Sequence, residues 1–394
     1  MNKKRTTPKH IKKNKGTPPQ PDLKLLKIFG DIEDPRGPSC NFLHPLATIF
    51  FITTVCSLCG ANDWETIVVQ ARGMTSWLSK FVDLSAGIPS VRTFKRVFEA
   101  IDPDKIDAML LSVMKLMNEK LERKTISFDG KCLRGTASSE KDLRAIHTLN
   151  AYSHENGICI GHKKVDDKSN EITAMPVLME LLDLKGAIVT ADALNTQKDI
   201  ARKAIDLGAD YILPVKGNHP NLLEDIKLLF ADAQSNDFKG FDADDFETLE
   251  KSRGRVESRK YYSIDAEGIP SGNEWLGLKS LGMVIRERTI KGKSSKKEVE
   301  YYICSTEIDA RLLEKVVRGH WGIENSLHWV LDVTFREDQV RYRERTGAQN
   351  LAAIRKITHG VLTKDTTLKC GKHGKRLVAA TDPVYREELL KKLF

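Results

Sequence analysis

No Gly-x4-Gly-Lys-Ser/Thr phosphate loop occurs in these 394 residues, and Gly371-Lys-His-Gly-Lys-Arg376 lacks its spacing, which disfavours a nucleotide-driven motor. The seven cysteines show no disulfide framework. Cys56 and Cys59 make one Cys-x-x-Cys inside the apolar run Leu46–Cys59, with no second pair at zinc spacing, and read as buried helical residues. The amino terminus has no apolar signal-peptide core. The run Phe42–Cys59 contains Pro45 and is too short and interrupted for a membrane span. A reducing, cytoplasmic setting is expected, with no membrane and no nucleotide cofactor. No internal repeat is present.

What the chain does have is charge, unevenly spread. Hydrophobic residues make up 40% and charged residues 30%, which excludes overall disorder. Residues 1–20 carry +7 with no acid, residues 311–394 carry another +7, and the segment between is acidic although the whole is +9. Basic flanks around an acidic centre suit a protein that grips phosphate at its edges and holds metal in its middle. A solubilising tail is the plainer reading of the first segment.

Three acids stand out in that centre. Thr125-Ile-Ser-Phe-Asp129 and Ala187-Ile-Val-Thr-Ala-Asp192 read as short apolar strands, each ending at a carboxylate. Glu324 lies in the helical run Leu312–Leu331, in line with Val317, Leu327 and Leu331 at 3.6 residues per turn. A carboxylate on an apolar face is costly unless it is paired or holds a metal, so the three together suggest one divalent-cation site. Taken singly, Asp129 could be a turn residue, Asp192 a helix cap and Glu324 a partner of Arg318. Three acids without a Cys/His cluster fit Mg²⁺ or Mn²⁺ better than zinc. Zinc stays open at one place, where His320, Glu324 and His328 form an i, i+4, i+8 column, although the stronger His-Glu-x-x-His spacing is absent.

The segments Ser127-Phe-Asp-Gly-Lys-Cys-Leu-Arg-Gly135, Thr190-Ala-Asp-Ala-Leu-Asn195, Pro214-Val-Lys-Gly-Asn218 and Arg318-Gly-His-Trp-Gly-Ile-Glu-Asn-Ser-Leu-His-Trp-Val-Leu-Asp332 resemble those of DDE transposases, in particular the ISAs-type, H-repeat-associated branch of bacterial insertion-sequence enzymes. The resemblance runs from about residue 25 to about residue 365. It implies an enzyme that binds the terminal inverted repeats of its element, cuts them and joins 3′-hydroxyls to target DNA as a homo-oligomer. It implies Asp129, Asp192 and Glu324 as catalytic and metal-holding residues, with two Mg²⁺ or Mn²⁺ ions. Its implied DNA-handling groups are Lys131, Arg134, Lys168, Lys216, Asn218, Arg255, Arg259, Arg318, His320, Trp321 and His328. Arg253 stands where a His is common, and Val317, His320 and Leu331 replace the Tyr, Arg and Lys of related hairpin-forming enzymes, so that route is not carried over. Trp321 and Trp329 could stack on a base, but two tryptophans on an apolar helix read more readily as core.

The fold expected is α/β: a ribonuclease-H-like catalytic core with a β-rich insertion and a helical N-terminal domain. Residues 1–22 should be a disordered basic tail. In the helical segment 23–120, Asn62–Thr66 starts one helix and Ser90 caps another. Arg92, Lys95 and Arg96 on the outer face of the second helix suit either a helix-turn-helix reading DNA or a bundle with a solvated basic face. Residues 121–234 read as three strands, helix, strand, helix, strand, helix. They form the core with residues 306–365. Residues 235–305 are too long for one connection and read as inserted strands. Residues 366–394 form a C-terminal tail or helix. Two other functions fit less of the chain: a nuclease or resolvase without strand transfer, which needs neither the helical region nor the insertion, and a catalytically silent transposase-derived DNA-binding regulator, which does not need three acids.

Overall fold

In the computed structural model, residues 23–391 are described, apart from 38–42, 118–120, 122, 140–141, 166–169, 253, 291–292 and 295. The expected basic tail, Lys168 and Arg253 therefore lie outside the described residues.

The amino-terminal third is helical: α1 Lys24–Gly30, α2 Leu46–Leu58, α3 Trp64–Gly73, α4 Thr75–Leu78, α5 Val91–Ala100 and α6 Pro103–Met117. Asp63 caps α3 by accepting from the Thr66 N–H at 2.8 Å, and Ser90 caps α5 from Thr93 at 3.2 Å. The apolar run with Cys56 and Cys59 is α2, buried on nearly every side. Burial pushes the Cys59 thiol up to about 11, the state of an inert core cysteine. Among the described residues no helix is long and apolar enough to cross a membrane.

The strand–helix alternation then follows: β1 Thr125–Leu133, β2 Ile146–Ser153, β3 Ile158–Val165, α7 Glu171–Glu180, β4 Ile188–Ala191, α8 Lys198–Asp206, β5 Asp210–Val215 and α9 Pro220–Ser235. Next come β6 Ala243–Ser252, β7 Arg255–Asp265, β8 Ser280–Ile290, the two-residue β9 Lys293–Ser294 and β10 Glu298–Cys304. The chain ends in α10 Ala310–Gly322, a π-helical turn Ile323–His328, α11 Trp329–Val333, α12 Arg345–Lys364, α13 Lys372–Thr381 and α14 Pro383–Lys391.

The strands form one mixed sheet in the order β3-β2-β1-β4-β5-β10-β8-β7-β6, with β9 paired to β8. Strands β1, β4 and β5 run parallel, and the rest pair antiparallel. Phe128 pairs with Ala191 across β1 and β4, so the next residue on each strand is an acid, Asp129 beside Asp192. The inserted strands join the same sheet, because β10 pairs with β5. The solvated outer strand β6 is dense in Asp, Glu and Lys, which blunts an edge that could otherwise template pairing.

Helix α12 is buried along almost its whole length and packs on α2, α5, α6 and β3, so the helical third and the sheet share one core. A buried polar chain fastens that junction. Lys356 Nζ lies 2.8 Å from His162 Nδ1, and His162 Nε2 lies 2.7 Å from Asp107 Oδ1. Helices α3 and α5 are separated by α4 and a loop, not by the three- or four-residue turn of a helix-turn-helix. Of the two arrangements open for this segment, the bundle is the one formed. Lys95 pairs with Glu65 at 3.2 Å, while Arg92 and Arg96 are exposed.

Candidate active site

Asp129, Asp192 and Glu324 line one cavity of about 290 Å³, with Lys216, His320 and Trp321 also in its wall. Ligand atoms of Asp129, Glu324 and His328 all lie within 4.8 Å of one another. Two of the acids arrive from adjacent parallel strands. The third comes from a helix whose geometry differs from the regular run expected, because Ile323–His328 is a π turn. The i→i+5 bonding of a π turn widens the coil, so Glu324 and His328, four apart, fall nearly in line. Glu324 is exposed toward the cavity while Val317, Leu327 and Leu331 are buried, so its expected place on their apolar face is corrected. Nor does it pair with Arg318, which bonds to Glu250 and lies 3.5 Å from Glu314.

The electrostatics are those of crowded carboxylates. Burial first, then the charges of Glu324 and Glu171, push Asp129 up to about 7, although its carboxylate accepts the Gly130 N–H at 2.9 Å. His328 is the reverse case: burial, with Lys131 and Lys356 nearby, drives it down to about 3 and keeps the imidazole neutral. The Asn150 side-chain amide donates to Nε2 at 3.3 Å, which leaves Nδ1 as the protonated nitrogen, 3.5 Å from Asp129 Oδ2. Asn150 is also the cross-strand neighbour of Asp129.

Asp192 has its own brace. Asn195, fully buried, donates its backbone N–H and its side-chain amide to Asp192 Oδ1 at 3.0 and 2.8 Å. The same amide donates to Glu171 Oε2 at 2.9 Å, and Glu171 Oε1 lies 2.7 Å from His147 Nε2. Gly130 is required under this group, because a Cβ there would sit 2.0 Å from Glu171 Oε1 and 2.5 Å from His147 Nε2. Asn150, His147, Glu171 and Asn195 escaped the sequence reading as site residues. Asn195, three residues after Asp192, and Glu171, next to the capping Asn170, were legible as turn and cap signals but not as neighbours of the acids.

The basic residues divide. Lys216 stands exposed at the cavity, and Asn218 donates to the Ala193 carbonyl at 2.7 Å, bracing the loop after Asp192. Arg134 and Arg255 are exposed. Lys131 is a correction: it is 6% exposed and its ammonium lies 2.5 Å from Asp332, with Glu337 and Asp338 each 3.9 Å away, so it holds the fold beneath the site and cannot reach DNA. Arg259 pairs with Glu257 at 3.0 Å and Glu250 at 3.4 Å, so its guanidinium is engaged within the sheet. His320 is half-buried in the cavity wall, its Nδ1 is enclosed and has no hydrogen-bond partner among the described residues, and burial lowers its affinity for a proton. The tryptophans are a second correction. Trp321 is 52% and Trp329 59% exposed, so neither is core, and the Arg286 guanidinium stands 5.9 Å from the Trp321 ring centroid.

Residues 120–360 match the transposase DDE domain family, and residues 26–114 match the DDE_Tnp_1-associated family. The chain is 37% identical to "Putative transposase YncI" of Escherichia coli O157:H7 over 370 residues, covering 93% of this chain and 94% of that protein. It is 35% identical to "H repeat-associated putative transposase YhhI" of Escherichia coli strain K12 over 372 residues, covering 93% and 97%. Among solved structures, the piggyBac transposase synaptic complex with hairpin DNA aligns with 94% of this chain and 80% of that one at a TM-score of 0.44 and 10% identity.

Proposed function

This chain belongs to the DDE transposase family, and from that premise we propose that it binds the ends of an insertion element, cleaves them and transfers the 3′-hydroxyls to target DNA. The observation that carries the reading is the convergence of Asp129, Asp192 and Glu324, from distant parts of the chain, on one cavity. Neighbouring carboxylates that raise the proton affinity of Asp129 favour a divalent cation in their midst, and an all-oxygen donor set with one imidazole beside it fits Mg²⁺ or Mn²⁺. The three acids would hold two such ions. When bound, the ions activate the attacking water or 3′-hydroxyl and stabilise charge on the phosphate and the leaving oxygen.

The protein's own groups have separable tasks. Neutral His328, fixed by Asn150, orients Asp129, and Asn195 fixes Asp192. Lys216 offers positive charge to a phosphate at the cavity. Exposed Trp321, beside both the cavity and Arg286, gives an unpaired base a stacking surface. Arg92, Arg96, Arg134 and Arg255 are further contacts to duplex DNA, which the protein would meet as a cytoplasmic homo-oligomer on paired ends. The ribonuclease-H-like reading of the core rests on the order β3-β2-β1-β4-β5 with Asp129, inside β1, beside Asp192, which follows β4.

The test is cleavage and joining of the DNA flanking the gene by wild type, Asp129→Asn, Asp192→Asn and Glu324→Gln in Mg²⁺. Each variant should lose both reactions and keep its affinity for element ends within about twofold, because no phosphate-binding cation is removed. Full activity in any one of them counts against the assignment.

A further inference from the structure

On the opposite side of the Glu171 carboxylate from Asn195, three side chains stand in series. Cys132 Sγ, exposed on β1, lies 3.0 Å from His147 Nδ1, its direct cross-strand partner on β2. His147 Nε2 lies 2.7 Å from Glu171 Oε1. The order is thiol, imidazole, carboxylate, with each imidazole nitrogen given to one neighbour. It is the geometry in which a ring cation stands against a nucleophilic sulfur while a third group orients that ring. The Glu171 hydrogen bond, opposed by burial, holds the His147 imidazolium protonated up to about 9. None of the three belongs to the acids of the cavity, and DNA chemistry at that cavity uses no thiol.

We propose that Cys132 is a modification site: an exposed sulfur set 3.0 Å from the His147 ring that reacts with soft electrophiles, alkyl hydroperoxides among them. With an alkyl iodide, a sulfur lone pair forms the S–C bond as the C–I bond breaks and iodide leaves, the thiol proton having gone to solvent. With a hydroperoxide, sulfur takes the terminal hydroxyl as the O–O bond breaks. The cysteine is oxidised to the sulfenic acid, the peroxide is reduced to an alcohol, and the His147 proton goes to the departing alkoxide. The same hydrogen-bond chain runs on through Glu171 and Asn195 to Asp192, so an adduct here sits at the far end of the brace on the second acid.

Cys370 supplies an internal control, being exposed but without an imidazole partner among the described residues. Full-length protein is pulsed with iodoacetamide at pH 7 and labelling of each cysteine is read by peptide mass spectrometry, which involves no DNA chemistry. An unassisted thiol is only a few per cent thiolate at this pH. Cys132 should therefore label at least about fivefold faster than Cys370, a gain already discounted for the lower nucleophilicity of a stabilised thiolate. His147→Gln should bring Cys132 to the rate of Cys370 without changing Cys370. Glu171→Gln, which leaves the thiol–imidazole contact but removes the charge behind it, should give a smaller loss. Labelling of Cys132 no faster than Cys370 in wild type, or equally fast in His147→Gln, overturns the proposal.

Discussion

His328 Nδ1 stands 3.5 Å from Asp129 Oδ2, joining the end of a π turn to the middle of β1. The two residues are 199 positions apart, and His328, four residues after Glu324, shares its side of the helical segment. The imidazole stays neutral because it is buried, and its tautomer is set by Asn150. His328→Ala should therefore raise the Mg²⁺ concentration for half-maximal cleavage about 10–100-fold, the usual cost of losing an outer-shell partner, with affinity for DNA unchanged. Metal-titrated single-turnover cleavage checks it, and an unchanged Mg²⁺ midpoint would remove His328 from the site.

Gly130 has no room for a side chain. Gly130→Ala should displace Glu171 and His147 and cost about 1–3 kcal/mol, as overpacking does. Urea unfolding of Gly130→Ala and of the Gly130→Ala/Glu171→Ala pair separates this from a backbone effect. The second change should recover stability if the clash is the cause, and deepen the loss if it is not.

Asp365 ends α12 and ties it to the last two helices. Burial works to raise its proton affinity, but bonds from Thr367, Tyr385 and Lys375 outweigh this and hold it down to about 2. A carboxyl whose folded value is depressed stabilises above its unfolded value near 4, and that contribution disappears as pH falls toward 2. Wild type should exceed Asp365→Asn by about 1–2 kcal/mol at pH 6, and the gap should close by about pH 2. Urea melts at the two pH values measure it; a gap independent of pH would contradict the assignment.

Residues 1–20 carry seven positive side chains and no acid. Deleting them should weaken binding to all DNA and flatten its salt dependence by a slope of about 0.9 for each lost phosphate contact, while preference for element ends survives. Filter binding across salt concentrations reads both quantities. A truncated protein that keeps its slope and loses its preference would make the tail the reader of sequence.

The parts of this molecule that were legible in the sequence are those set by local pattern. The apolar run stopping at Asp192 marked the end of β4, whereas β1 runs on past Asp129 to Leu133 because β2 pairs with it along that length; the strand–helix alternation implied the adjacency of the two acids, which Phe128 opposite Ala191 realises. Ser90 and the Asn62–Thr66 segment marked helix starts because capping is a short-range signal. What local pattern missed depends on distant partners. Lys131 looked like a phosphate contact, yet its charge is consumed by Asp332, 201 residues on. Trp321 and Trp329 looked like core on an apolar helix, but both lie on its solvent-facing side, Trp321 at the rim of the cavity. Asn195 holds Asp192 locally, three residues on, and only the tertiary approach of Glu171 at the start of α7 adds the carboxylate that braces Asn195 from the other side.

The account stands most directly on whether Asp129 binds an ion that the reaction needs, and Asp129→Cys asks this in one assay. A thiolate is a poor ligand for Mg²⁺ and a better one for softer ions. End-cleavage by Asp129→Cys should be absent in Mg²⁺ and return in Mn²⁺ or Zn²⁺, with wild type active in Mg²⁺ throughout. Cleavage by Asp129→Cys in Mg²⁺ at the wild-type rate would show that no metal is held there.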